Sequence, residues 1–164
     1  MKLDSRDAYL LLGTNLGDRL ENLKTAISYI EMEVGEVFAK SSVYETEAWG
    51  KTDQPGFLNQ AIAVKSTLPP LELLKILLAI EQKMGRVRLE KWGQRLIDID
   101  LIFYGDMVVS IDEVLQLPHP EMHRRRFVLE PLNEIAENFI HPVFRKKISH
   151  ILANLTDKLT VQKI

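Results

Sequence analysis

An α+β fold, one antiparallel sheet with helices packed on it, is what the sequence predicts. Short runs rich in aliphatic and β-branched residues recur at positions 8–13, 37–46, 57–67 and 96–104. Two stretches with leucine and isoleucine at helical spacing follow the first and third of these runs. No cysteine is present, so no disulfide framework competes with a hydrophobic core as the organiser of the chain.

Each element has its own signal. Residues 8–13 form a short apolar run ended by Gly13, read as a first, buried strand. Gly13-Thr14-Asn15-Leu16-Gly17-Asp18 follows, and Asp18 with Glu21 makes a capping-box-like helix start. Leu16, Leu20, Leu23, Ile27, Ile30 and Val34 then recur at helical spacing, and Gly35 ends that helix. Residues 37–46 read as one strand, 47–55 as a loop holding Gly50 and Pro55, and 57–67 as another strand. Pro69-Pro70 opens a second helix with the stripe Leu71, Leu74, Leu78 and Met84. A charged loop over 85–94 leads into the strand that ends at Tyr104. Gly105-Asp106 turns into a small hairpin through Met107-Val108-Val109. Pro118-His119-Pro120 is a rigid loop, and 121–155 read as short helices broken at Pro131 and Pro142. The tail 156–164 carries no readable signal.

The order is β-α-β-β-α-β with a helical C-terminal extension. Two helices on one face of an antiparallel sheet is the ferredoxin-like arrangement. That fold hosts many functions and decides none of them. No repeat, low-complexity tract or linker divides the chain, so one domain over 1–164 is expected, with its core about 8–155.

The chain has 164 residues, 46% of them hydrophobic and 27% charged, an ordinary composition for a domain with a proper core. Net charge is −2, so no global field favours nucleic acid or an acidic membrane, and any anion site must be local. The lack of cysteine excludes thiolate catalysis and Cys-based zinc sites. No run approaches a membrane span, and residues 1–6 are polar, so neither a membrane anchor nor a signal peptide is expected.

Asp98 and Asp100 interrupt the last strand of the βαββαβ unit at i and i+2. Alternation points both carboxylates to one face, roughly 7 Å apart at Cα. Two anions that close repel each other, and a divalent cation resolves that; magnesium usually arrives with substrate phosphates. A half-exposed edge strand with a polar face is the plain alternative. Arg86, Arg88, Lys91 and Arg95 precede the pair, and Arg124, Arg125 and Arg126 follow His119 and His123. Arginine binds phosphate bidentately, so a nucleotide fits, while a solvated basic face or an RNA-binding patch stays open. The loop Gly13–Gly17 resembles a phosphate cradle but lacks the Walker and dinucleotide patterns, so tight packing of the strand-helix turn is preferred. Phe57 and Asn59 share a strand face, and Phe127 follows the arginines. Two rings and an amide suit a flat heterocycle; phenylalanines are also ordinary core residues. Trp92 in a charged loop fits a lid over a site or an anchor on the surface.

These pieces together resemble the 6-hydroxymethyl-7,8-dihydropterin pyrophosphokinase family. The resemblance rests on Gly13-Thr14-Asn15-Leu16-Gly17, Asp53-Gln54-Pro55 with Phe57-Leu58-Asn59, Gly85-Arg86-Val87-Arg88, residues Trp92 to Asp100, and Pro118-His119-Pro120-Glu121-Met122, in that order. It implies transfer of the terminal diphosphate of ATP to the pterin hydroxymethyl group, releasing AMP, in folate biosynthesis. It implies two magnesium ions, with Asp98 and Asp100 as their ligands. Arg86 and Arg95 would be catalytic beside that pair. Glu81, Trp92, Arg95, Leu101, His119 and Arg125 would meet ATP. Thr46, Trp49, Phe57, Asn59 and Phe127 would meet the pterin. A cytoplasmic monomer is expected, with no nucleic acid, membrane or obligate protein partner.

Two other functions stay in view. A magnesium-dependent nucleotidyltransferase would use the same carboxylate pair but release pyrophosphate; its glycine-serine turn would lie closer to the carboxylates than Gly13-Thr14 does. A non-catalytic RNA-binding module would need exposed aromatics on a basic sheet face, where Asp98 and Asp100 would repel phosphates.

Overall fold

Strand β1 (Arg6–Thr14) lies inside a six-stranded antiparallel sheet in the computed structural model, which describes residues 4–47, 56–85 and 96–164. On one side β1 pairs with β5 (Asp98–Tyr104), and on the other with β4 (Phe57–Ser66). β4 in turn pairs with β2 (Val37–Lys40) and β3 (Tyr44–Thr46), and β8 (Val161–Lys163) closes the far edge against β3. Helices α1 (Arg19–Glu33) and α2 (Pro70–Lys83) are the two crossovers. The order β5-β1-β4-β3 with these connections is the ferredoxin-like topology that the sequence predicts. Among the described residues no helix is long and apolar enough to cross a membrane.

The sheet separates two cores because strand residues alternate faces. Leu10, Leu12, Ile62 and Leu101 pack with Leu23, Ile30, Leu73 and Leu77 of α1 and α2. Tyr9, Leu11, Ala61 and Ala63 pack on the opposite face with Val128, Leu129 and Leu132 of α3 (Arg126–Ala136) and Ile148 of α4 (Ile148–Ala153). α1 starts where the sequence predicts: the Asp18 side chain accepts from the Glu21 N–H at 3.1 Å, satisfying one orphan donor of the first turn.

Several elements differ from the sequence reading. The strand expected over 37–46 is two strands, because Ser41 turns inward: its Oγ accepts from the Ala61 N–H at 2.9 Å and interrupts regular pairing. In α2 the buried apolar residues are Leu73, Leu77 and Ile80, while Leu78 of the expected stripe is 43% exposed. That helix is apolar on more than one side, and its second stripe faces a cavity beside β5. The hairpin after Gly105 forms between β6 (Val109–Ile111) and β7 (Leu115–Leu117), with no return to β5. Pro131 does not break its helix; it sits buried inside α3 among Val128, Leu129 and Leu132, whose packing offsets the cost of an interior proline, about 3 kcal/mol for the lost hydrogen bond and ring clash together. The tail without a readable signal supplies β8.

Candidate functional site

A glycine opens the sheet on the α3 side. Gly13 lies opposite Asn59 of β4 and opposite Asp98 of β5, so Asp98, Gly13 and Asn59 form one cross-strand row. Directly paired residues point to the same face, and the middle one has no side chain. The gap is held open by fit as well as by sequence: a Cβ on Gly13 would stand 2.9 Å from Asn59 Oδ1. Leu11 and Asp100 form the neighbouring pair. Phe57 lies opposite Thr46, further toward the sheet's end.

Helix α3 covers the middle of this face and starts short of the row. Its N-cap, Arg125, and the following Phe127 therefore border the gap, with the guanidinium 5.8 Å from the Phe127 ring centre. The result is a cavity of about 320 Å³ lined by Phe57, Phe127, Asn59, Thr46, Asp98 and Asp100, among others. Both phenylalanines are part-exposed on the cavity wall, and Phe127 also packs against the α3-side core. Asn59 is 4% exposed and Thr46 is 5% exposed. The Thr46 hydroxyl oxygen is buried with no hydrogen-bond partner among the described residues.

A second cavity, about 470 Å³, lies against the other side of the same two carboxylates. Its walls include Leu74, Leu78 and Glu81 of α2, Gln116 of β7, and His119. Asp98 and Asp100 line both cavities. They sit at the start of β5, on the edge of the sheet as far as the described residues show, with Asp98 part-exposed and Asp100 exposed. The edge-strand reading of this segment thus describes its environment; the strand buries Ile99 between the two carboxylates and is continuously buried only from Leu101 on.

Glu81 and His119 clip the outer edge of β5. Glu81, 4% exposed, accepts from the Ile99 N–H at 3.0 Å. The His119 N–H donates to Ile102 O at 3.0 Å. Burial lowers the His119 pKa, with Arg125 adding to that and Asp100 opposing it. Its Nδ1 accepts from the Glu121 N–H at 3.1 Å, which leaves the proton of the neutral ring on Nε2. Leu101 is core and also borders the second cavity. Arg125 borders the first cavity.

The glycine loop is packed from within, as preferred from sequence. Asn22 Nδ2 donates to Leu16 O at 2.8 Å and to Thr14 Oγ1 at 3.2 Å, and Gly17 takes a positive φ of 68°. Arg19 then reaches across to Gly56 O at 2.8 Å, just before Phe57. Trp49, Arg86, Arg88, Lys91, Trp92 and Arg95 lie outside the described residues. Leu11 and Leu159 border the first cavity without any earlier sign in the sequence. Both are plain leucines, and only the register of β1 and the course of the tail bring them there.

Fold and site define a class: a ferredoxin-like domain in which two ligand-sized cavities meet at one pair of carboxylates. Comparison with known proteins gives that class a family. The model of the 7,8-dihydro-6-hydroxymethylpterin-pyrophosphokinase family matches residues 9–137. A 2-amino-4-hydroxy-6-hydroxymethyldihydropteridine pyrophosphokinase of Synechocystis is 46% identical over 142 residues, 86% of this chain and 72% of that protein. One from Aquifex aeolicus is 43% identical over 140 residues, 85% of this chain and 86% of that protein. In structure, the wild-type Plasmodium falciparum HPPK-DHPS with pteroate superposes with a TM-score of 0.75 at 19% identity. That match covers 92% of this chain and 42% of the larger one, so this chain spans about two fifths of it and shares its fold. The chain belongs to the 7,8-dihydro-6-hydroxymethylpterin-pyrophosphokinase family, and it is a pyrophosphokinase of folate biosynthesis.

Proposed function

We propose that the chain takes ATP and magnesium in the second cavity and 6-hydroxymethyl-7,8-dihydropterin in the first, and passes the terminal diphosphate between them. The products are AMP and the pterin diphosphate. The observation that carries this reading is the shared wall: Asp98 and Asp100 face both cavities, where a group moving from one substrate to the other must pass. The first cavity suits a pterin, with rings at Phe57 and Phe127 and a buried amide at Asn59 for the heterocycle edge. The Thr46 hydroxyl, buried and without a partner among the described residues, is a further polar contact for that edge.

The carboxylate pair suits magnesium. Among the described residues no cluster of three or more histidines and carboxylates comes together, so an ion here would complete its shell with water and phosphate oxygens, as magnesium does. When bound, the ions neutralise phosphate charge and template an in-line displacement. Two ions agree with about four negative charges on ATP. The neutral His119, with its proton on Nε2, offers a donor to a phosphate or ribose oxygen and no competing negative charge. Arg125 offers a cation beside the ring pocket. Arg86, Arg95 and Trp92 are assigned here to the triphosphate, and Trp49 to the pterin, on the family resemblance. Binding and alignment supply most of the rate in such a reaction, so no general base is assigned.

Incubation with ATP, magnesium and the pterin tests this, with resolution of nucleotides by ion exchange. AMP formed only with pterin, and abolished by chelation, agrees with the proposal. AMP formed equally without pterin, or undiminished by chelator, contradicts it.

A further inference from the structure

The C-terminal tail lies beyond the last residue matched by the family model, residue 137. It nevertheless returns to the first cavity. Asp157 accepts from the Arg126 N–H at 2.9 Å, at the first residue of α3. The Arg126 Nε also donates to Asp157 O at 3.1 Å. The carboxylate's other oxygen accepts from the Leu159 N–H at 2.9 Å and so folds the chain back on itself. That turn presents Leu159 to the cavity, beside Arg125 and Phe127. β8 then pairs with β3, and Val161 lies opposite Thr46. Its last residues are fixed a second time: Lys163 lies 3.9 Å from Glu134 of α3, the residue that also accepts from the Tyr44 hydroxyl of β3 at 2.5 Å.

Three separate attachments thus place one short segment on the ring pocket: Asp157 at the start of α3, Leu159 on the wall, and β8 behind Thr46. We propose that Asp157, Leu159 and Val161 of this returning segment form a specificity-determining wall of the pterin pocket. Asp157 positions Arg126, and through it the neighbouring Arg125 and Phe127. Leu159 closes the apolar side of the pocket over the heterocycle, and Val161 holds the Thr46 strand in register. The inference rests on the assignment of the first cavity to the pterin.

The test compares wild type, Leu159→Ala, Asp157→Asn and, as a control on the exposed side of the same segment, Lys158→Ala. KM is measured separately for the pterin and for ATP, with a thermal melt for each variant. Trimming an apolar side chain that lines a ligand pocket shifts specificity on the order of tenfold. Leu159→Ala should therefore raise the pterin KM about tenfold, with the ATP KM and the melting temperature as in wild type. Asp157→Asn should raise the pterin KM by a smaller factor, and Lys158→Ala should match wild type. An unchanged pterin KM in Leu159→Ala, or equal rises in both KM values, overturns the proposal. Equal rises in Lys158→Ala and Leu159→Ala overturn it too, because the segment would then act without regard to the wall. A wild-type protein with no pterin-dependent turnover would instead remove the assignment of the pocket, and this inference with it.

Discussion

Asn59 and Asp98 face the same side of the sheet, one strand to either side of Gly13. Two strand spacings put them about 10 Å apart. The Asn59 amide and the first carboxylate are thus fixed relative to each other by backbone hydrogen bonds, and the empty glycine position between them is the floor of the cavity. An alignment of this kind is built into sheet register, which tolerates little slippage when both flanking strands carry buried residues.

Gly13 should accordingly be sensitive to one methyl group. In Gly13→Ala the new Cβ would press on Asn59 Oδ1 at 2.9 Å. The pterin KM is expected to rise about tenfold, with a smaller change for ATP, because misplacement of a positioning group costs binding and alignment together. Steady-state kinetics in both substrates checks this; equal effects on both would place the damage in the fold.

Removal of either carboxylate charge should stop the chemistry and spare the structure. Asp98→Asn and Asp100→Asn should each lower turnover by at least about a hundredfold. Both positions lie outside the packed cores, so the melting temperature should move by only a few degrees. Turnover within threefold of wild type in both variants would show that the pair does not hold the ions.

Asn59→Ala should separate the two substrates. The side chain is buried on the first cavity and absent from the second, so pterin binding should weaken by roughly 1–3 kcal/mol while ATP binding changes little. Calorimetric titration with each ligand reads the two losses independently.

His141 makes the fold sensitive to mild acid. It is 3% exposed, and its Nδ1 accepts from the N–H groups of Val143 at 3.2 Å and Phe144 at 3.1 Å. Burial, helped by His123, lowers its pKa from 6.5 to about 4. Between those values the unfolded chain holds a proton that the folded one refuses, so stability is present above about pH 6.5 and falls as pH drops toward 4. The loss is at most on the order of 3 kcal/mol. His141→Asn keeps an acceptor near the same place without the titration. Melts of wild type and His141→Asn from pH 7.5 to 4.5 should converge at the acid end; parallel curves would locate the acid response elsewhere.

The parts of this protein legible in its sequence are those set by local chemistry. Asp18 announces a helix start, and the i, i+2 spacing of Asp98 and Asp100 fixes a shared face whatever surrounds the strand. The alternation that places Phe57 beside Asn59 is equally local. Long-range choices are harder to read. Helix α2 carries leucines on two sides, and only the sheet decides that Leu73 and Leu77 are buried while Leu74 and Leu78 face a cavity. Pro131 signals a break by its missing N–H, yet tertiary burial overrides that signal. The break at Ser41 depends on a partner twenty residues away, the Ala61 N–H. Leu159 has no local mark at all, because a pocket wall made by a returning tail is a property of the assembled chain.

The nature of the transferred group is best read directly from phosphorus. Phosphorus-31 NMR of the complete reaction, with ATP, magnesium and 6-hydroxymethyl-7,8-dihydropterin, resolves a mono-ester phosphate from a coupled diphosphate. Equal amounts of AMP and a pterin carrying two mutually coupled phosphorus signals are expected if Asp98 and Asp100 stand between donor and acceptor. ADP with a pterin monophosphate, or free pyrophosphate with a pterin-linked nucleotide, would contradict diphosphate transfer at this site.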